Sequence, residues 1–112
     1  MNQEDINKSV DYIYTQGRKY AEAKANLSYM QEYRKTIKAE LMHLATELGA
    51  KSAVAAETEA YRDQRYKEHL QAIKEAEKIA ESLRCGLVSA QARIEVWRSM
   101  EASNRALDRS LS

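Results

Sequence analysis

The chain contains no proline and no phenylalanine, and only three glycines and one cysteine among its 112 residues. Without proline, no position is barred from a helix interior by a missing N–H and a ring clash. With so little glycine, few positions lose helix propensity. Much of the 44% hydrophobic content is alanine, so the chain lacks the bulky apolar groups of a thick globular core. Cys85 has no second cysteine, which excludes an intrachain disulfide and suits a reducing compartment. The start, MNQEDINKSV, has neither the basic residues nor the apolar run of a secretory signal. No stretch approaches the roughly 18 to 20 apolar residues of a membrane span. These absences lead to the expectation of a soluble, cytoplasmic protein without membrane contact. A formal net charge of +1 excludes a strong field of either sign over the whole molecule.

What is present is helical periodicity. Ile6, Val10, Ile13, Gly17, Tyr20, Leu27, Met30, Ile37, Leu41, Leu44 and Leu48 recur at steps of three, four or seven, with one slip of phase between Tyr20 and Met30. Asn2 followed by Asp5 suits the start of this helix, and Gly49 suits its stop. The first helix is predicted over about residues 3–48. Ser52 is a cap for AVAAETEAY, residues 53–61, which reads as a short helix packed across the end of a bundle. Asp63 is a credible cap for a further start, although an unbroken helix is also compatible with the pattern. From Tyr66 a second stripe runs through Leu70, Ile73, Ala76, Ala80, Leu83, Leu87, Ala90, Ile94, Trp97, Met100 and Leu107, predicting a helix over about residues 64–109.

The predicted fold is therefore all-α: one elongated antiparallel helical-hairpin domain spanning the chain, two long helices with a short one between them. Pairing Leu48 with Tyr66 makes facing residue numbers add to about 114. That register sets Trp97 opposite Gly17, a missing side chain against the largest one, with Tyr12, Tyr14 and Tyr20 near the same level. It also brings Arg34 towards Glu77 and Glu81, where an ion pair would fix alignment more than it would stabilise. The structural seam is accordingly assigned to Gly17, Tyr20, Trp97, Arg34 and Glu77. A hairpin of this length buries one narrow stripe per helix, too little to offset the entropy of ordering so many residues, so self-association into a helical bundle is expected.

No catalytic constellation emerges. His43 and His69 come to one level in this register, but no HExxH, paired cysteine or repeated Glu-x-x-His accompanies them, and partly solvated histidines are the plainer reading. Cys85 reads as a structural thiol. Acid pairs two apart, such as Glu57/Glu59, point to different faces of a helix. No enzyme, metal or cofactor is expected. Arg98, Arg105 and Arg109 step by seven and four and share one face, while Arg93 lies elsewhere around the helix. With Trp97 nearby, these arginines could hold single-stranded nucleic acid by phosphate contact and stacking. The plainer alternative pairs them with Glu95, Glu101 and Asp108 and leaves Trp97 in the core.

The run AQARIEVWRSMEASNR (residues 90–105), with the earlier KAELMHLATELGAKSAVAAETEAY and residues 66–70, resembles a group of small helical proteins of tailed phages and prophages. These are often encoded near early genes for homologous recombination. The resemblance covers about residues 15–105 and is most specific at residues 94–105. It implies a setting, and it carries over no functional residue. Two functions follow as expectations. One is a non-enzymatic accessory protein that binds a protein of the recombination or replication machinery. The other is a direct binder of single-stranded DNA through Arg93, Trp97, Arg98 and Arg105.

Overall fold

Three well-made helix ends decide how this helix-prone chain is divided. The computed structural model describes residues 1–111 and has three helices, α1 (Gln3–Glu47), α2 (Ala53–Arg62) and α3 (Gln64–Leu111), with no strand among the described residues. These spans match the predicted ones to within two residues. No helix among them is long and apolar enough to cross a membrane.

Each boundary has a local cause. At the start of α1 the Asn2 side chain accepts from the Asp5 N–H at 2.9 Å, and Asp5 accepts from the Asn2 N–H at 3.1 Å, a reciprocal cap. After α1, Gly49 takes φ 111°, in the left-handed region. There its N–H donates to the Thr46 carbonyl and the Ala50 N–H to the Ala45 carbonyl, which is the Schellman pattern. Ser52 then accepts from the Ala55 N–H and opens α2. Asp63 is extended (φ −67°, ψ 136°), so the helix does break there. Its carboxylate accepts from the Arg65 N–H at 2.8 Å and from the Arg65 guanidinium at 2.9 Å. Those Arg65 bonds, side chain first and backbone second, hold the Asp63 carboxyl below its ordinary value.

The long helices pack as an antiparallel hairpin, but the register differs from the predicted one. The described residues form two compact units, to each of which α1 and α3 both contribute. In the unit Glu22–Ala80, α2 does not cross the end of the hairpin; it runs back along α1. The Lys38 ammonium lies 4.9 Å from the Tyr61 ring centre and 3.4 Å from the Glu57 carboxylate. Leu41, Ala60 and Tyr66 form the buried core here, with Ile37 and Met42 against it. Tyr61 and Tyr66 meet edge to face at 5.2 Å. The His69 ring donates from Nε2 to the Met30 carbonyl at 2.7 Å, and Tyr33 abuts that ring. The facing pairs Lys38/Tyr61 and Met30/His69 each add to 99. The return arm thus begins at Ala53 rather than at Tyr66, which moves every α3 residue about four turns along α1 from its predicted level.

The second unit comprises Met1–Ala21 and the chain from Glu81 onward. Its buried residues, Ile6, Ser9 and Ala90, are few and mostly small. Tyr12 lies across Gly86, a pair whose numbers add to 98, so the same register holds in this unit. By that register α1 begins at the level of Glu95 and Val96. Residues 98–111 of α3 therefore have no α1 residue opposite them, and all but Glu101 are exposed. This unpaired end is about 20 Å long at 1.5 Å per residue.

Candidate functional site

The shifted register redistributes the seam residues. A Cβ added at Gly17 would meet nothing within 4 Å, so Trp97 does not fill a space left there. Trp97 is half-buried near the start of α1 instead, four turns from its predicted partner. The glycine that accommodates a large neighbour is Gly86, where a Cβ would collide with the Tyr12 hydroxyl. Gly86 was legible only to a reading that took the fold-back at Gly49 to set the register.

The expected aromatic cluster of Tyr12, Tyr14 and Tyr20 around Trp97 does not form. Tyr14 is exposed and accepts a hydrogen bond from Arg18 at 2.9 Å, with the guanidinium 5.0 Å from its ring centre. Tyr20 is half-buried, close enough to Arg84 to act on its charge. The aromatic contacts lie in the other unit, where Tyr29 and Tyr33 also stack at 5.8 Å. Arg34 is exposed and makes no ion pair with Glu77 among the described residues, and Glu81 turns to Arg84 of its own helix at 2.9 Å. That carboxylate holds the Arg84 guanidinium above its ordinary value. Lys38 is the cation that ties α1 to the return arm. The Tyr61 phenol first, and then the Glu57 carboxylate, raise its pKa.

The histidines do not meet. His43 is exposed and sits 3.5 Å from Glu47 on its own helix, whereas His69 is committed to the Met30 carbonyl. No group of three or more metal-ligating side chains occurs among the described residues. Cys85 is exposed rather than structural.

What the structure does assemble is a surface at the end of α3. Along its last turns Val96, Met100, Leu107 and Leu111 step by four, seven and four, which puts them on one helix face. All four are more than half exposed, Leu111 at 78%. Arg98, Arg105 and Arg109 occupy the opposite face, as the sequence spacing predicts. Arg98 is held by Glu95 at 3.1 Å, but Glu101 and Arg105 do not come within ion-pair distance. Arg93 stands apart from these three and rims a groove of about 510 Å³. Ser9, Tyr12, Gly86, Ser89 and Ala90 line that groove, with Met1, Asp5 and Lys8 at its edge. This end of α3 is amphipathic with nothing of its own chain on its apolar side. Such an arrangement offers a helix face that a second helix or a protein surface could cover.

No protein-family model matches this chain, and neither a curated protein nor a solved structure matches it.

Proposed function

We propose that this protein is a non-enzymatic phage or prophage accessory protein that works by protein–protein contact, as a homo-oligomer, on the DNA recombination or replication machinery. The observation that carries this reading is the unpaired end of α3. These last turns of α3 expose an apolar face and a basic face, with no partner among the described residues for the former. The setting comes from the resemblance of residues 94–105 to the phage group. Arg98, Arg105 and Arg109 form the partner-binding face, which fits an acidic protein surface through hydrogen-bonded ion pairs.

The test is affinity capture from infected-cell extract with nuclease present, comparing the natural chain with the Arg98→Glu, Arg105→Glu double variant. A recombination or replication protein recovered by the first and lost by the second supports the reading. If nuclease removes every captured protein, the reading fails.

The second reading, direct binding of single-stranded DNA, draws on Arg93 and Arg105, which stand without an ion-pair partner among the described residues. Glu95, Glu101 and Asp108 interleave with the arginines and dilute the field that phosphate binding relies on, which places it second. Fluorescence anisotropy with labelled single-stranded oligonucleotides decides between them. Binding that falls steeply with salt favours the second reading, and no binding at low salt removes it.

A further inference from the structure

The apolar face of α3 and the groove beside it belong to the same side of the same unit, and their chemistry is mutual. Arg93 and Ser89 lie on the helix face that carries Met100, Leu107 and Leu111, since all are spaced by multiples of three, four or seven. One stretch of helix therefore presents, in order, the groove lined by Gly86 and Ser89, the Arg93 rim, and then the apolar stripe through Leu111.

We infer that the occupant of this face is the same face of a second copy, running antiparallel and crossing its twin at Met100. This specifies the oligomer included in the proposed function, and it does not depend on the recombination partner. With Met100 on the two-fold axis, Leu107 of one copy faces Arg93 of the other. Leu111 of one copy reaches Ser89 of the other, so the last turn of α3 comes against the groove that Ser89 and Arg93 border. A two-fold interface of this kind is self-complementary by construction, each copy supplying both knob and groove.

Charge decides the direction. Arg93 and Asp108 are the ionisable groups that α3 places on or beside this face, and neither has an ion-pair partner among the described residues. Antiparallel pairing at Met100 sets Arg93 next to Asp108 of the second copy, and does so twice. Parallel pairing would set Arg93 against Arg93, a repulsive contact, and would leave Asp108 away from Arg93. Ser103 and Asn104, one turn past the crossing on this face, are short and let the helices approach. Arg98, Arg105 and Arg109 remain on the outer side of each copy, away from the crossing.

Cysteine cross-linking in the full chain tests the geometry, with Cys85→Ser in every variant to remove the native thiol. Met100→Cys is expected to form a covalent dimer rapidly under mild oxidation, because the two copies of position 100 meet at the axis. Ala102→Cys, on the opposite face, is expected to stay largely uncross-linked. Sedimentation measured alongside separates the two levels of the claim. A dimer that cross-links at position 100 and not at 102 supports the inference. A dimer that fails to cross-link at 100 overturns this interface while leaving oligomer formation intact, and a monomer at high concentration overturns both. A charge exchange gives a check without new thiols. Arg93→Asp or Asp108→Arg alone is expected to weaken dimerisation by about tenfold, the scale of a close interfacial ion pair. The two together are expected to restore it, and no restoration would also overturn the pairing.

Discussion

The two units of this protein use the same two helices to different ends. Around the fold-back, the unit Glu22–Ala80 has a buried leucine and tyrosine core, three aromatic contacts and a histidine bonded to the main chain of the facing helix. In the unit built from the chain's two ends, the buried set is Ile6, Ser9 and Ala90, and Val96, Met100, Leu107 and Leu111 are more than half exposed. Both units expose large apolar side chains, Leu48 and Val54 of the first among them, but only the first also buries a leucine and a tyrosine. The lesson is that large side chains hold the hairpin near its fold-back, whereas small ones hold it where the two chain ends meet.

Substitution can break that comparison. Leu41 is 5% exposed at the centre of the first core, and Leu41→Ala is expected to cost about 3 kcal/mol, as for other buried leucines. Trp97→Ala, at a half-buried position, is expected to cost clearly less, about 1 to 2 kcal/mol, because less of the side chain leaves a packed site. Urea unfolding of both variants measures this, and a Trp97→Ala loss larger than that of Leu41→Ala would reverse the assignment of the two units.

Next in size is Gly49→Ala, which forces an L side chain into the left-handed region and is expected to destabilise by about 1 to 2 kcal/mol. The other two glycines should then divide. Gly17→Ala meets no neighbour and is expected to stabilise by about 1 kcal/mol through helix propensity. Gly86→Ala has the same propensity to gain but must displace Tyr12, so its melting temperature is expected to stay level or fall. Equal gains at both positions would remove the distinction between an open glycine and one that a tyrosine covers.

The smallest effect is in pH. Asp63 has a folded-state pKa lowered by Arg65 from its ordinary 3.8. Its contribution is therefore present above that value and is lost as pH falls through the folded pKa. Comparing unfolding midpoints at neutral pH and below the carboxylate range, the natural chain is expected to lose slightly more stability than Asp63→Asn. Identical losses would mean that the capping carboxylate is not linked to folding.

Helix ends were legible in the sequence because their chemistry is local. Asn2, Gly49, Ser52 and Asp63 announce boundaries through their own backbone preferences and nearby hydrogen bonds. Register was not legible, because it depends on whether residues 53–62 cross α1 or lie along it, and an alanine-rich helix suits both. That one ambiguity moved Trp97 to Gly17, Arg34 to Glu77 and His43 to His69. The basic face of Arg98, Arg105 and Arg109 survived the shift, since faces are set by spacing within a helix and not by its neighbour. The unpaired end of α3 could not be foreseen from two helices taken as equal in length and aligned at the wrong turn.

The left-handed glycine also has a consequence in time. Closing the turn at Gly49 brings Lys38 to Glu57 across a short loop, and each later contact of the hairpin closes a longer one, 39 residues for Met30 with His69 and more for Tyr12 with Gly86. Loop-closure entropy grows with that separation, and local contacts form fastest. The chain is thus expected to fold as a zipper from Gly49 outward. Substitutions near Leu41 should slow folding, while those near Tyr12 and Gly86 should mainly speed unfolding. The unpaired end of α3 is expected to be the last to be ordered.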